Sequence, residues 1–301
     1  MEDEITEDKV LNVGPSEIDI TYERFGDTNF PPVLLIMGGG AQLIHWPDEF
    51  CAALVDRGVQ VIRFDSRDAG RSSHMSGAPV VDMPAALAGD LTTASYDLSD
   101  LAADTVGLLD ALGFDSAHLV GLSMGGMIAQ TIAIEYPDRV RSLTSISSRT
   151  GAPGVGDADF GAIGPLGPEP HDRQSYLEWQ VRFSRATASP GFAFDEAAVA
   201  ATAGRAYDRG RDHEAMMRQF VAVLASGDRT AQLNSLRVPT LVLHGADDLM
   251  CDVSGGRATA AATPGAKLVI FDGMGHHLPR ELWPTFADRI TELVHLGETI
   301  A

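Results

Sequence analysis

Apolar positions along the chain follow two patterns: short unbroken runs bounded by Gly, Pro or Asp, and longer stretches in which an apolar residue recurs every third or fourth place. The first pattern suits strands buried on both faces of a parallel sheet, and the second suits helices that bury one face. Residues 10–13 and 18–22 read as two strands parted by Gly14-Pro15-Ser16, an antiparallel pair at a sheet edge. Further runs stand at 33–37, 59–62, 118–120, 140–146, 240–244 and 267–271. Helices are expected at 47–57, with Pro near the start and Gly58 behind it, and at 98–112, where Leu101, Val106, Leu108, Leu109 and Leu112 share a face ahead of Gly113. A helix from Met124 follows the run at 118–120 almost without a loop, one over 281–296 closes the chain, and 77–95 reads as loop.

After residue 146 the alternation stops. A Gly/Pro/Asp-rich loop leads into three helical patterns over 172–186, 195–207 and 212–225, and the alternation returns at Val238-Pro239. An all-helical insertion between strands of an α/β sheet reads as a cap over the site. The expected organisation is a core of residues 1–149 and 235–301, with an acidic tail over 1–8, and a cap over 150–234. The fold class is α/β, a mostly parallel, eight-stranded doubly wound sheet with its site at the carboxyl ends of the strands.

Candidate chemistry sits at those strand ends. Gly121-Leu122-Ser123-Met124-Gly125 turns a strand into a helix so sharply that Ser123 is left exposed at the apex, beside N–H groups that favour negative charge. A serine needs a base to take its proton, and the base needs a carboxylate to hold its tautomer. His276 lies in the loop after the last run, freed by Gly273 and Gly275, with His277 as an exposed or structural neighbour. Residues 147–149 offer no carboxylate, which leaves Asp248, with Asp247 a solvated turn residue. Gly38-Gly39-Gly40 ends a buried run, so the N–H of Gly39, with that of Met124, is expected to hold a developing oxyanion. His45 and Trp46, and from the cap Trp179, Met216 and Phe220, are expected to contact the substrate. The charges of Asp65-Ser66-Arg67-Asp68-Ala69-Gly70-Arg71-Ser72 read as a turn held by local hydrogen bonds.

Composition narrows the picture. In 301 residues, 42 acidic against 22 basic side chains give a net charge of −20, which repels phosphate backbones and anionic lipid, so neither nucleic acid nor membrane is an expected partner. No apolar stretch is long enough to span a bilayer, and the acidic N-terminus lacks a secretory pattern, so a cytoplasmic location is expected. Cys51 and Cys251 lack metal-ligand spacing, and the chemistry calls for no metal or organic cofactor.

These residues together resemble the α/β-hydrolase fold: Met37-Gly38-Gly39, Asp65 to Ser72, Gly121 to Gly126, Val238 to Gly245 with Asp248, and Gly273-Met274-Gly275-His276. Within it, the run from Met37 with His45-Trp46-Pro47-Asp48-Glu49-Phe50 is similar to the aclacinomycin methylesterases, which cleave a methyl ester on an anthracycline polyketide. The resemblance implies a serine esterase acting on a small-molecule ester through Ser123, Asp248 and His276. The same triad also serves lactone hydrolysis, carbon–carbon bond hydrolysis, thioester hydrolysis and perhydrolysis in this fold, and some members bind ligands without turnover. The family often has His-Gly where this chain has Met37-Gly38, and often Gly at the place of Asp68.

Overall fold

The computed structural model describes residues 7–212 and 214–300, so most of the expected acidic tail lies outside the described residues. In chain order the elements are β1 (Asp8–Val13), β2 (Ile18–Phe25), β3 (Pro32–Ile36), α1 (Asp48–Val55), β4 (Gln60–Phe64), α2 (Met83–Leu87), α3 (Leu98–Leu112), β5 (Ala117–Leu122), α4 (Met124–Glu135) and β6 (Val140–Ile146). Then come α5 (Phe160–Ile163), α6 (Arg173–Ala186), α7 (Glu196–Arg209), α8 (Ala215–Ser226) and α9 (Thr230–Leu233), all between β6 and β7 (Thr240–Gly245), followed by α10 (Ser254–Ala262), β8 (Lys267–Phe271) and α11 (Trp283–Ile300).

The eight strands form one sheet in the order β1-β2-β4-β3-β5-β6-β7-β8. Strand β2 pairs antiparallel with β1 and β4, and every pairing from β4 to β8 is parallel. Alternate residues of each strand feed two cores. Leu34, Ile36 and Leu119 pack with Leu101, Leu108, Ile128 and Ile132 of α3 and α4, while Val33, Leu35 and Val120 pack with Phe50, Leu54, Phe286 and Ile290 of α1 and α11. Burial of each such side chain is worth about 1.5–3 kcal/mol. From β3 the chain steps to β4 on one side and returns to β5 on the other, so the loops after β3 and β5 diverge and leave a crevice at their carboxyl ends.

Two departures from the sequence pattern have local causes. The stretch 77–95 contains α2, started by the Asp82 side chain accepting the Ala85 N–H at 3.0 Å; five residues are too few to show a period. The last helix begins only at Trp283, after a 3₁₀ turn over Arg280–Leu282. No helix among the described residues is long and apolar enough to cross a membrane.

Candidate active site

Ser123 alone separates β5 from α4, and the turn is that short because nothing larger than glycine fits around it. A Cβ on Gly121 would lie 2.1 Å from the Gly125 carbonyl oxygen, and one on Gly125 would lie 2.0 Å from the Ile36 carbonyl oxygen. Ser123 takes φ 56° and ψ −120°, a conformation costing about 1–3 kcal/mol for a residue with a side chain. Its neighbours hold it there. Its N–H donates to Ile146 O at 2.9 Å, and its carbonyl accepts from the Gly126 N–H at 2.9 Å and the Ser148 hydroxyl at 2.7 Å. Met124 is the first residue of α4, so its N–H has no acceptor within the helix.

The Gly38-Gly39-Gly40 loop leaves β3 directly against this elbow. A Cβ on Gly38 would stand 3.1 Å from Ser123 Cβ and 3.7 Å from Ser123 Oγ, and one on Gly39 would stand 3.6 Å from Met124 Sδ. The Gly40 N–H donates to Gln219 Oε1 of α8 at 2.7 Å.

Asp248 is 3% exposed. Its Oδ1 accepts the N–H groups of Met250 and Cys251, each at 2.9 Å, and its carboxylate meets His276 Nδ1 at 2.9 and 3.0 Å. Burial acts to raise the Asp248 pKa, but the His276 charge and hydrogen bond and the Cys251 N–H prevail and hold it below the ordinary carboxylate range. Strand β8 is three places from β5, roughly 14 Å at the usual strand spacing, so the loop carrying His276 has to reach back across the sheet. The segment after α6 holds that loop: the His276 N–H donates to Thr187 O at 3.2 Å, the Gly275 N–H to Ser189 Oγ at 2.9 Å, and the Ser189 hydroxyl to His277 O at 2.9 Å.

The remaining expected contacts divide. His277 has accessible surface although protein surrounds its ring, and His45 is half-buried under the same crowding. Burial pushes both imidazoles down to about 4, and both are neutral at pH 7. Met216 of α8 lies over Gly40, whose Cβ would come within 2.9 Å of its Sδ, and Phe220 one turn on is 40% exposed. Trp46, expected beside the substrate, is instead a core residue: it is 1% exposed and stacks on Phe50 at 5.6 Å, because the turn after Gly40 tucks it under the sheet rather than over the site. Trp179 is 8% exposed and stacks on Phe183 at 5.4 Å, within the inserted helices.

The charges after β4 were expected to pair locally, and their strongest partners are distant. Asp65 binds Arg209 of α7 at 2.8 Å, Arg67 binds Asp104 at 2.6 Å, and Asp68 takes both Nε (2.8 Å) and Nη2 (2.7 Å) of Arg218 from α8. Asp68, His74 and Asp212 bring ligand atoms within 4.8 Å of one another, but the Arg218 guanidinium already bonds both carboxylates and fills the place of a cation. Both cysteines are free and buried, and burial raises each thiol, Cys51 to about 12.

A serine on a strained strand-to-helix turn beside a glycine loop, with a histidine–aspartate pair carried by later strands of the same doubly wound sheet and a helical insertion, defines a class. The chain belongs to the α/β-hydrolase-fold family, whose model matches residues 31–279. It is 30% identical to rhodomycin D methylesterase of Streptomyces peucetius, over 87% of this chain and 90% of that protein. It is 32% identical to a putative carbamate hydrolase of Variovorax paradoxus, over 76% of this chain and 78% of that one. Among solved structures, a hydrolase from Pseudomonas aeruginosa superposes with a TM-score of 0.72 at 24% identity, covering 98% of this chain and 99% of that one.

Proposed function

We propose that the chain hydrolyses carboxylic esters through an acyl-enzyme on Ser123. His276 Nε2 accepts the Ser123 hydroxyl proton as Oγ attacks the carbonyl carbon, and then returns it to the leaving alcohol. Asp248 holds Nδ1 and stabilises the imidazolium. The N–H groups of Gly39 and Met124 bind the oxyanion, and each such donor is typically worth about 3 kcal/mol. Water activated by the same histidine releases the acid. The observations that support this reading are the Asp248–His276 contact and the strained turn that holds Ser123.

The likeness to a rhodomycin D methylesterase directs the substrate choice to a methyl ester on a bulky, polyketide-like acid, met in the cytoplasm. Neutral His45 and His277 and the thioether of Met216 suit such a substrate, since they offer hydrogen bonds and apolar surface without charge. The test is Ser123→Ala assayed on short p-nitrophenyl esters and on an anthracycline methyl ester. Turnover should fall at least a thousandfold, and labelling by a fluorophosphonate probe should vanish; retained turnover would overturn the reading.

A further inference from the structure

Gln219 is 1% exposed, and both ends of its carboxamide are used. Oε1 accepts the Gly40 N–H at 2.7 Å, and Nε2 donates to the Arg67 carbonyl at 2.8 Å. Only one orientation of the amide satisfies both, because one neighbour is a donor and the other an acceptor. A single side chain of α8 thus joins the loop after β3 to the turn after β4. The helix that delivers it is itself anchored: Arg218, the preceding residue, is bound to Asp68, and Met216 rests on Gly40.

The loop it holds needs holding. Three successive glycines have the widest backbone freedom a chain can have, so their N–H directions are not determined by the glycines themselves. The Gly38–Gly40 turn closes with the Ala41 N–H on Gly38 O at 3.3 Å, a long bond. The 2.7 Å bond to Gln219 is shorter, and it draws the Gly40 N–H toward α8. Gly39 then sits between Met124 and Gln219.

We propose that Gln219 is a positioning residue for ester hydrolysis: it fixes the Gly39–Gly40 peptide, and with the Ala41 N–H holding Gly38 O this limits rotation of the adjoining Gly38–Gly39 peptide, so that the Gly39 N–H is already aimed at the oxyanion when substrate binds. This rests on the reading of Ser123 and Gly39 given above. A donor fixed in advance stabilises the transition state without the cost of ordering it during reaction, so its loss appears in kcat more than in KM.

The experiment compares wild type with Gln219→Met, which keeps length and volume but makes neither bond, and with Gln219→Asn, which keeps the amide but is too short to reach both loops. Each is assayed for kcat, KM, inhibition by an alkyl boronic acid (a tetrahedral transition-state mimic), and inhibition by the product carboxylate. The expected result is a 10- to 100-fold fall in kcat with KM within twofold, boronate affinity falling in parallel and carboxylate affinity unchanged. The inference is overturned if either folded variant keeps kcat and boronate affinity within twofold, or if carboxylate binding weakens as much as boronate binding, which would signal general loss of pocket shape. Failure of the underlying reading looks different: wild type would lack esterase activity, or Ser123→Ala would retain it.

Discussion

At the scale of single residues, the site depends on close approach. Gly38 has no unusual backbone angle and is a glycine for want of room, because a methyl group there would press on Ser123 Cβ at 3.1 Å and on the Leu122 carbonyl at 3.3 Å. Ser123 cannot yield, since its own N–H and carbonyl are bonded to β6 and α4. Gly38→Ala should therefore lower kcat/KM at least tenfold and cost about 1–3 kcal/mol of stability from overpacking. Ester turnover with urea unfolding would check this, and unchanged turnover would mean the loop can retreat. The strained Ser123 turn and the His276–Asp248 pair were legible in the sequence because strand ends restrict where chemistry can sit and glycines mark the sharp turns. Trp46 was misread because adjacency along the chain to His45 does not settle which side of the loop a ring falls on.

At the scale of elements, the inserted helices are joined to the core by buried charge, and pattern alone did not show that. Asp68 takes φ 64°, a conformation glycine adopts readily, at a place where the family often has glycine. Here the carboxylate accepts from Arg218 twice, from the Tyr96 hydroxyl at 2.7 Å and from the Met75 N–H at 2.8 Å. The cue in the sequence was an acidic residue where a glycine is customary; its partner 150 positions away carried no local signal. Removing one charge strands the other, so Arg218→Met should lose about 3–5 kcal/mol. Asp68→Gly added to Arg218→Met should recover most of that loss, because the second change removes both the stranded carboxylate and the backbone strain. Urea unfolding of the two variants measures it, and a double variant no more stable than Arg218→Met would refute the account. Helices α6, α7 and α8 were readable from their spacing, whereas α5 and α9, with four residues each, are too short to show any.

At the scale of the whole molecule, buried imidazoles couple stability to pH. His118 of β5 is fully buried, lies 2.8 Å from Ser142 Oγ and 3.0 Å from Glu298, and burial pushes it down to about 4 despite Glu298 acting to raise it. The unfolded chain would protonate this group near the ordinary value of about 6.5. The native state therefore holds its full advantage above that value and loses it as pH falls toward 4. From pH 7 to pH 5 the loss from this group alone is about 2 kcal/mol. His118→Gln should flatten that part of the unfolding free-energy curve, whether or not it lowers stability at pH 7; a slope identical to wild type would show that His118 titrates alike folded and unfolded. The parallel, doubly wound sheet was foreshadowed by the alternation of runs and helices, but the reach of the His276 loop was not, since it depends on a segment 86 positions upstream, where Ser189 receives the Gly275 N–H.

That upstream grip bears on how a substrate gets in. Residues 187–189 hold the His276 loop, and α8 holds the glycine loop, so swinging the helices away as one lid would break both sets of hydrogen bonds at once, and a substrate is admitted with the helices left where they are only if side chains alone give way.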